Sequence, residues 1–317
     1  MTAIASFVVV ILPAQESLLG SQKIPPVDLQ TTVWLIVASL VLALVLNGLS
    51  TILFRVLEGY YLPGFIRRRR TLRHFKKLEL YKLEARRLRK RYNALLKSSD
   101  ATSSQSQSVA LASDAYGVGI SYGLAWEKVA RYPVTPLQLG PTKFANAMRS
   151  LETYGYQRYQ LDSQALWSEL LSVAPESLRH DEANTNAVVN FFVSLVYLSL
   201  TLAVLCAATV IREDEGIAIW ATGGMALGVC IVSYHLSIVS IQAWSSAVCA
   251  LVNVGRVPLA AQLGLKIPPT LREEREMWLL VGQLVTYPYN EQRARRLDRY
   301  SLEVKRTQKW PRRKSEG

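Results

Sequence analysis

Uncharged runs alternate along this chain with dense blocks of positive charge, and the lengths of the runs carry the first message. Thr31–Phe54 is 24 residues of almost uninterrupted apolar character. At ~1.5 Å of rise per residue it reaches across the ~30 Å hydrocarbon layer of a bilayer with some tilt. A second apolar block covers Ala187–Ile211, and a third begins at Ile217 and stays apolar to about Val254. The third is longer than one crossing needs, so the same helix is expected to continue out of the membrane. Only Arg212-Glu213-Asp214-Glu215-Gly216 separates the second and third blocks, which predicts a tight helical hairpin.

Between and after these blocks the polar pattern is helical too. From Phe65 to Lys97 the sequence reads as one basic helix. Leu78, Tyr81, Ala85, Leu88, Tyr92 and Leu95 recur at alternating spacings of three and four, an a/d seam that suits either another helix of the chain or a coiled-coil dimer. Seven serines within 98–114 read as a flexible linker. Phe144, Met148 and Leu151 follow helical spacing, with Gly155 as a stop, and Asp162 can cap a helix bearing Leu166, Trp167, Leu170 and Leu171. Thr270-Leu271-Arg272-Glu273 forms a capping box for a helix over about 271–286 that carries Trp278, Val281 and Val285 on one face. Strand signals are scarce, so the predicted fold class is all-α.

The expected organisation is an external segment at 1–30, a first span at 31–56, a basic juxtamembrane helix at 57–97 and the linker at 98–114. A helical cytoplasmic region at 115–185 precedes the second span at 186–211. An external loop at 212–216, a third span at 217–248, cytoplasmic helices at 249–290 and a basic disordered tail at 291–317 complete it.

Charge orients these spans. The formal net charge is +13, but residues 67–97 hold 14 Lys/Arg against two Glu, and 291–314 hold ten against three acids. Placing the N-terminus outside leaves only Lys23 and Arg212 external, and the positive-inside rule selects that orientation. Arg67, Arg68, Arg69 and Arg70 follow the first span directly and suit the phosphates of an anionic cytoplasmic leaflet. Residues 3–13 are apolar but lack a charged n-region, and eleven residues are too few to span. They read as an interfacial or half-inserted segment, with cleavage as the alternative.

Four stretches in order carry a resemblance: Pro141-Thr142-Lys143-Phe144-Ala145-Asn146, Arg158-Tyr159-Gln160-Leu161-Asp162, Leu263-Gly264-Leu265-Lys266-Ile267-Pro268 and Glu273-Glu274-Arg275-Glu276-Met277-Trp278. Over about 130–285 the chain resembles a family of uncharacterised bacterial multi-pass membrane proteins that carry P-T-x-x-G-N, R-Y-G-[LI]-D and L-G-L-x-x-P followed by E-E-R-x-x-W. The resemblance implies a bacterial inner-membrane location and supplies no activity. Ala145 and Gln160 stand where that pattern has glycine.

Two groups of residues are candidates for function. His235 lies mid-span, where an ionisable side chain is costly, on a stripe with Gly224, Gly228 and Gln242. Gly224 and Gly228 form a GxxxG, which favours close helix packing. Asn190, Ser194 and Thr201 make a matching stripe on the second span. The two stripes could meet within the hairpin or line a path between assembled chains. Tyr156, Arg158, Tyr159 and Asp162 surround a turn that could hold a planar or anionic ligand, or simply pack that turn.

Catalytic signatures such as G-x-S-x-G, a Walker A loop or H-E-x-x-H are absent from the sequence. The acidic pairs Asp181-Glu182 and Glu273-Glu274 are sequence neighbours that point ~100° apart on a helix, so both read as solvated surface. Cys206, Cys230 and Cys249 lie in apolar blocks and suggest neither a disulfide framework nor a metal site, and no cofactor is expected. Nucleic-acid binding is disfavoured, because no recognition motif accompanies the basic helix. The expectation is a non-enzymatic, homo-oligomeric membrane scaffold or sensor whose cytoplasmic helices bind a partner or ligand. An oligomeric channel is the principal alternative.

Overall fold

The computed structural model describes residues 37, 41, 44–46, 48–101, 105–212 and 217–302. The segment at 1–30 expected to be external, half of the first apolar block, the loop at 213–216 and the tail beyond 302 lie outside these residues. Ten α-helices occur among the described residues, and the fold is all-α. They are α1 (Ser50–Glu58), α2 (Gly64–Ala101), α3 (Gln105–Ala130), α4 (Lys143–Glu152), α5 (Tyr154–Tyr159), α6 (Trp167–Val173), α7 (Glu176–Arg212), α8 (Ile217–Gln262), α9 (Leu271–Thr286) and α10 (Glu291–Leu297).

Two helices are long and apolar enough to cross a membrane, Glu176–Ala208 within α7 and Ile219–Gln262 within α8. Only 17% and 33% of their most apolar windows are buried, whereas the core helix of a soluble domain hides most of its apolar surface. Trp220, Val204, Leu205, Ile231 and Val232 all point outward.

The chain divides into two compact units. The first comprises residues 1–77, 140–146 and 186–241; the second comprises 78–139, 147–185 and 242–317.

In the first unit, α1 ends at Gly59, which takes φ +84 and directs N–H groups back to the Arg55 and Val56 carbonyls. The left-handed turn suits a residue without a β-carbon, and one added here would fall 2.8 Å from the Pro141 ring. Thr142 bridges two elements: its hydroxyl donates to the Leu57 carbonyl and accepts from the Ala145 N–H at the start of α4. Asn146 folds back over the same turn, accepting from the Gly140 N–H and donating to the Gly140 and Thr142 carbonyls. Phe144, fully buried, packs edge-on against Phe54. The Tyr197 hydroxyl of α7 donates to the Leu53 carbonyl of α1 at 2.7 Å.

The second unit begins with an antiparallel helical hairpin. The a/d seam of α2 finds its partner in α3, where Leu111, Ala115, Val118, Tyr122, Ala125 and Val129 repeat the same three-four spacing. Leu78, Ala85, Ala115 and Ala125 are fully buried, and small residues at the crossings let the helices approach closely. Tyr92 covers Gly119, the Ser99 hydroxyl donates to the Ser108 carbonyl, and Lys128 pairs with Glu84 at 3.7 Å. Near the hairpin base Tyr81 and Tyr132 approach, and burial followed by Tyr81 pushes the Tyr132 phenol up to about 12. This hairpin corrects the flexible linker expected at 98–114. Apart from 102–104, which lie outside the described residues, that segment is helical. Its serines and alanines continue the heptad spacing rather than breaking it.

The main core of this unit gathers Leu161, Leu166 and Leu170 with Leu251 and Leu259 of α8 and Met277, Trp278 and Val281 of α9. Thr270 caps α9 by accepting from the Glu273 N–H. Val285, on the same face as Trp278, is half exposed in the last turn of α9, outside the core that holds Trp278 and Val281. Gly155 lies inside α5 rather than ending a helix, and α4 stops at Glu152. The tail expected to be disordered from 291 is ordered through 302. Asn290 caps α10, Arg296 pairs with Glu276, Leu297 and Tyr300 pack on the core, and Leu265 forms an antiparallel bridge with Ser301. Local capping and apolar contacts outweigh the basic composition there.

Candidate functional site

The densest polar constellation lies inside the second unit, where α5, α8 and α9 converge. Arg256 is the only Lys, Arg, Asp or Glu between Ile217 and Leu265. A guanidinium on such an apolar helix requires a partner, because an unpaired buried charge is costly. It meets Glu274 at 3.3 Å, and Glu274 is 5% exposed. The Trp278 indole donates to the same carboxylate at 3.3 Å from one helical turn away. On its other side the guanidinium lies 4.6 Å from the Tyr159 ring centre, within cation–π range. The Arg256 Nε is buried without a hydrogen-bond partner.

Asn253, one turn before Arg256, accepts hydroxyl hydrogen bonds from both Tyr154 and Tyr159. Arg275 donates to the Gln157 and Arg158 carbonyls at 2.6 and 2.7 Å, which satisfies the open carbonyl end of α5. Gln160 follows with φ 57, the one non-glycine positive φ among the described residues. Together these contacts lock three helices to one another through two arginines.

A second carboxylate plays a similar role. Glu182 is buried and accepts from the Trp244 indole at 3.0 Å. The expectation that both acidic pairs are solvated is therefore half wrong: Asp181 and Glu273 face solvent, while Glu182 and Glu274 turn inward. At the hairpin base, Glu127, Arg131 and Gln242 form a closed triangle of contacts at 2.8 to 3.2 Å. Hydrogen bonds from Arg131 and then Gln242 hold the Glu127 carboxyl below its ordinary value.

The residues named from sequence separate in space. Of the turn residues, Tyr159 is buried beneath Arg256, Tyr156 and Arg158 face outward, and the Asp162 carboxylate accepts from the Gln164 and Ala165 amides. On α8, Gly224, Gly228 and His235 are exposed, and a β-carbon added at either glycine meets open space. Gln242 belongs to the Glu127–Arg131 triangle. On α7, Asn190 donates to Asn186 on its own helix, Ser194 is half-buried and Thr201 is exposed. Val189, Val193, Val196 and Ser199 make the buried face of α7, so the polar stripe lies beside the packed face rather than on it. Arg67, Arg68, Arg69 and Arg70 are all exposed, and Arg68 and Arg69 line a shallow groove with Phe65 and Leu72. Nearby, burial and then the charges of Lys77, Lys143 and Arg70 push the His74 imidazole below its ordinary value.

Arg256 and Trp244 carry no role in the sequence reading, and Glu182 and Glu274 read there as solvated surface. Arg256 did carry a signal, as a lone charge in an apolar run. Among the described residues, no group of three or more His, Cys, Asp or Glu is placed to hold a metal ion. Comparison with protein-family models, with curated proteins and with solved structures found no match.

Proposed function

We propose that the protein is a non-enzymatic scaffold or sensor of the bacterial inner membrane, homo-oligomeric, with three spans and an external N-terminus. The observation that carries this reading is a contrast in how polar and apolar groups are used. The buried carboxylates Glu182 and Glu274 are engaged by an indole and by a guanidinium, as in a structural frame, while the most apolar windows of α7 and α8 are only 17% and 33% buried. Such exposure suits a lipid environment. The basic start of α2 supplies contacts to an anionic leaflet, and the helices of the second unit supply the surface for a partner or ligand.

The test is cysteine accessibility in a background with Cys206, Cys230 and Cys249 replaced by alanine. Lys23→Cys is expected to react with an impermeant maleimide from outside the cell, and Ser315→Cys only after lysis. Release of the protein from membranes by alkaline carbonate, or labelling of Ser315→Cys in intact cells, would overturn the proposal.

A second reading, an oligomeric channel, draws support from the outward placement of Gly224, Gly228 and His235 on α8. It requires that His235→Ala change conductance in reconstituted liposomes.

A further inference from the structure

Among the described residues, much of the outer surface of the α2–α3 hairpin is left uncovered. On α2 that surface is mainly basic: Arg86, Arg87, Arg89, Lys90, Arg91 and Lys97 are all exposed, with Leu80, Leu83 and Leu96 exposed among them. On α3 it is the reverse. From Val109 to Trp126 the only charged residue is Asp114. Val109, Tyr116, Ile120 and Leu124 stand outward, with Tyr116 72% and Ile120 51% exposed. At ~100° per residue these four share one stripe, diametrically opposite the Ala115–Ala125 seam that packs on α2. A helix in a two-helix hairpin normally keeps its outer face charged. Here α3 has two apolar faces, and among the described residues α2 covers one of them.

The stripe is also self-complementary in shape. Gly117 and Gly123 flank it, with open space where their β-carbons would be, so the same face presents bulky knobs and glycine holes. Charge selects the occupant. An acidic protein has every reason to seek α2 and none to seek α3. A second copy meeting this one through α3 supplies an uncharged apolar face and keeps the two basic α2 surfaces apart.

We infer that the outer face of α3, centred on Tyr116 and Ile120, is a two-fold interface between copies of this chain. This deepens the oligomer element of the proposed function and rests on it. The test uses the full-length protein in native membranes, in the same cysteine-free background. Tyr116→Cys and, as a separate variant, Ile120→Cys are each treated with a short bismaleimide, and the exposed Lys90→Cys on the outer face of α2 serves as control. The expected result is a covalent dimer with each α3 variant and none with the control, and loss of that dimer when Leu124→Lys and Val109→Lys are added with helicity unchanged.

Absence of the dimer overturns the inference in either of two forms. Cysteines shielded from a water-soluble maleimide without cross-linking would show that lipid or another protein covers α3. Freely labelled cysteines would show that nothing does. Either result can occur in a protein that still resists carbonate extraction, so the inference can fail while the membrane reading stands.

Discussion

Arg256 and Glu274 meet at 3.3 Å within the core of the second unit, with Tyr159 beneath the guanidinium and Trp278 on the carboxylate. Removing one member leaves the other charge buried and unpaired, a loss of about 3–5 kcal/mol. Glu274→Ala is therefore expected to lower the thermal midpoint of the solubilised protein sharply and to open the second unit to limited proteolysis. The paired exchange Arg256→Met/Glu274→Leu should recover most of that loss, since packed apolar side chains can replace a buried ion pair. Equal destabilisation by the single and the paired changes would show that packing around these residues, rather than the uncompensated charge, sets their importance.

The contrast between Glu273 and Glu274 also marks where sequence reasoning reaches and where it stops. Thr270 and Glu273 were legible because capping is local chemistry within four residues. The inward turn of Glu274 depended on where α8 would place Arg256, which is tertiary information. The same ~100° rotation that keeps neighbouring carboxylates from converging sends one out and the other in. The α2 seam was legible from its three-four spacing, but its partner was hidden. The seam of α3 uses Ala115, Val118 and Ala125 among serines, a composition that reads as linker until the opposing helix is in place.

Gln160 tests backbone strain. Its φ of 57 places a β-carbon in the left-handed region, at a cost of about 1–2 kcal/mol relative to glycine. Gln160→Gly is expected to raise the unfolding midpoint, and Gln160→Val, β-branched, to lower it further than loss of the amide explains. A midpoint that falls with glycine would show that contacts of the Gln160 side chain outweigh the strain.

A steric pair sits at the turn before α4. A β-carbon at Gly140 falls 2.5 Å from that of Ala145, closer than two carbons tolerate. Gly140→Ala should cost about 1–3 kcal/mol by overpacking. Ala145→Gly removes the clashing atom, so Gly140→Ala/Ala145→Gly is expected to be more stable than Gly140→Ala alone. Denaturant midpoints of the four combinations measure the coupling, and strict additivity would contradict a direct clash.

Glu152 supplies a pH dependence of defined sign. Burial raises its carboxyl above the ordinary 4.5, while the charge of Arg149 and a hydrogen bond with Gln164 pull it down less strongly. The folded state then holds this proton more tightly than the unfolded chain does. Between the ordinary value and the raised one the native state binds more protons, so this contribution to stability falls as pH rises through that window and stays lost above it. Glu152→Gln removes the titration. Its unfolding midpoint, compared with that of the parent protein from pH 4 to 8, is expected to show the largest gain at the neutral end. A gain that does not vary with pH would place the effect in packing rather than in the proton.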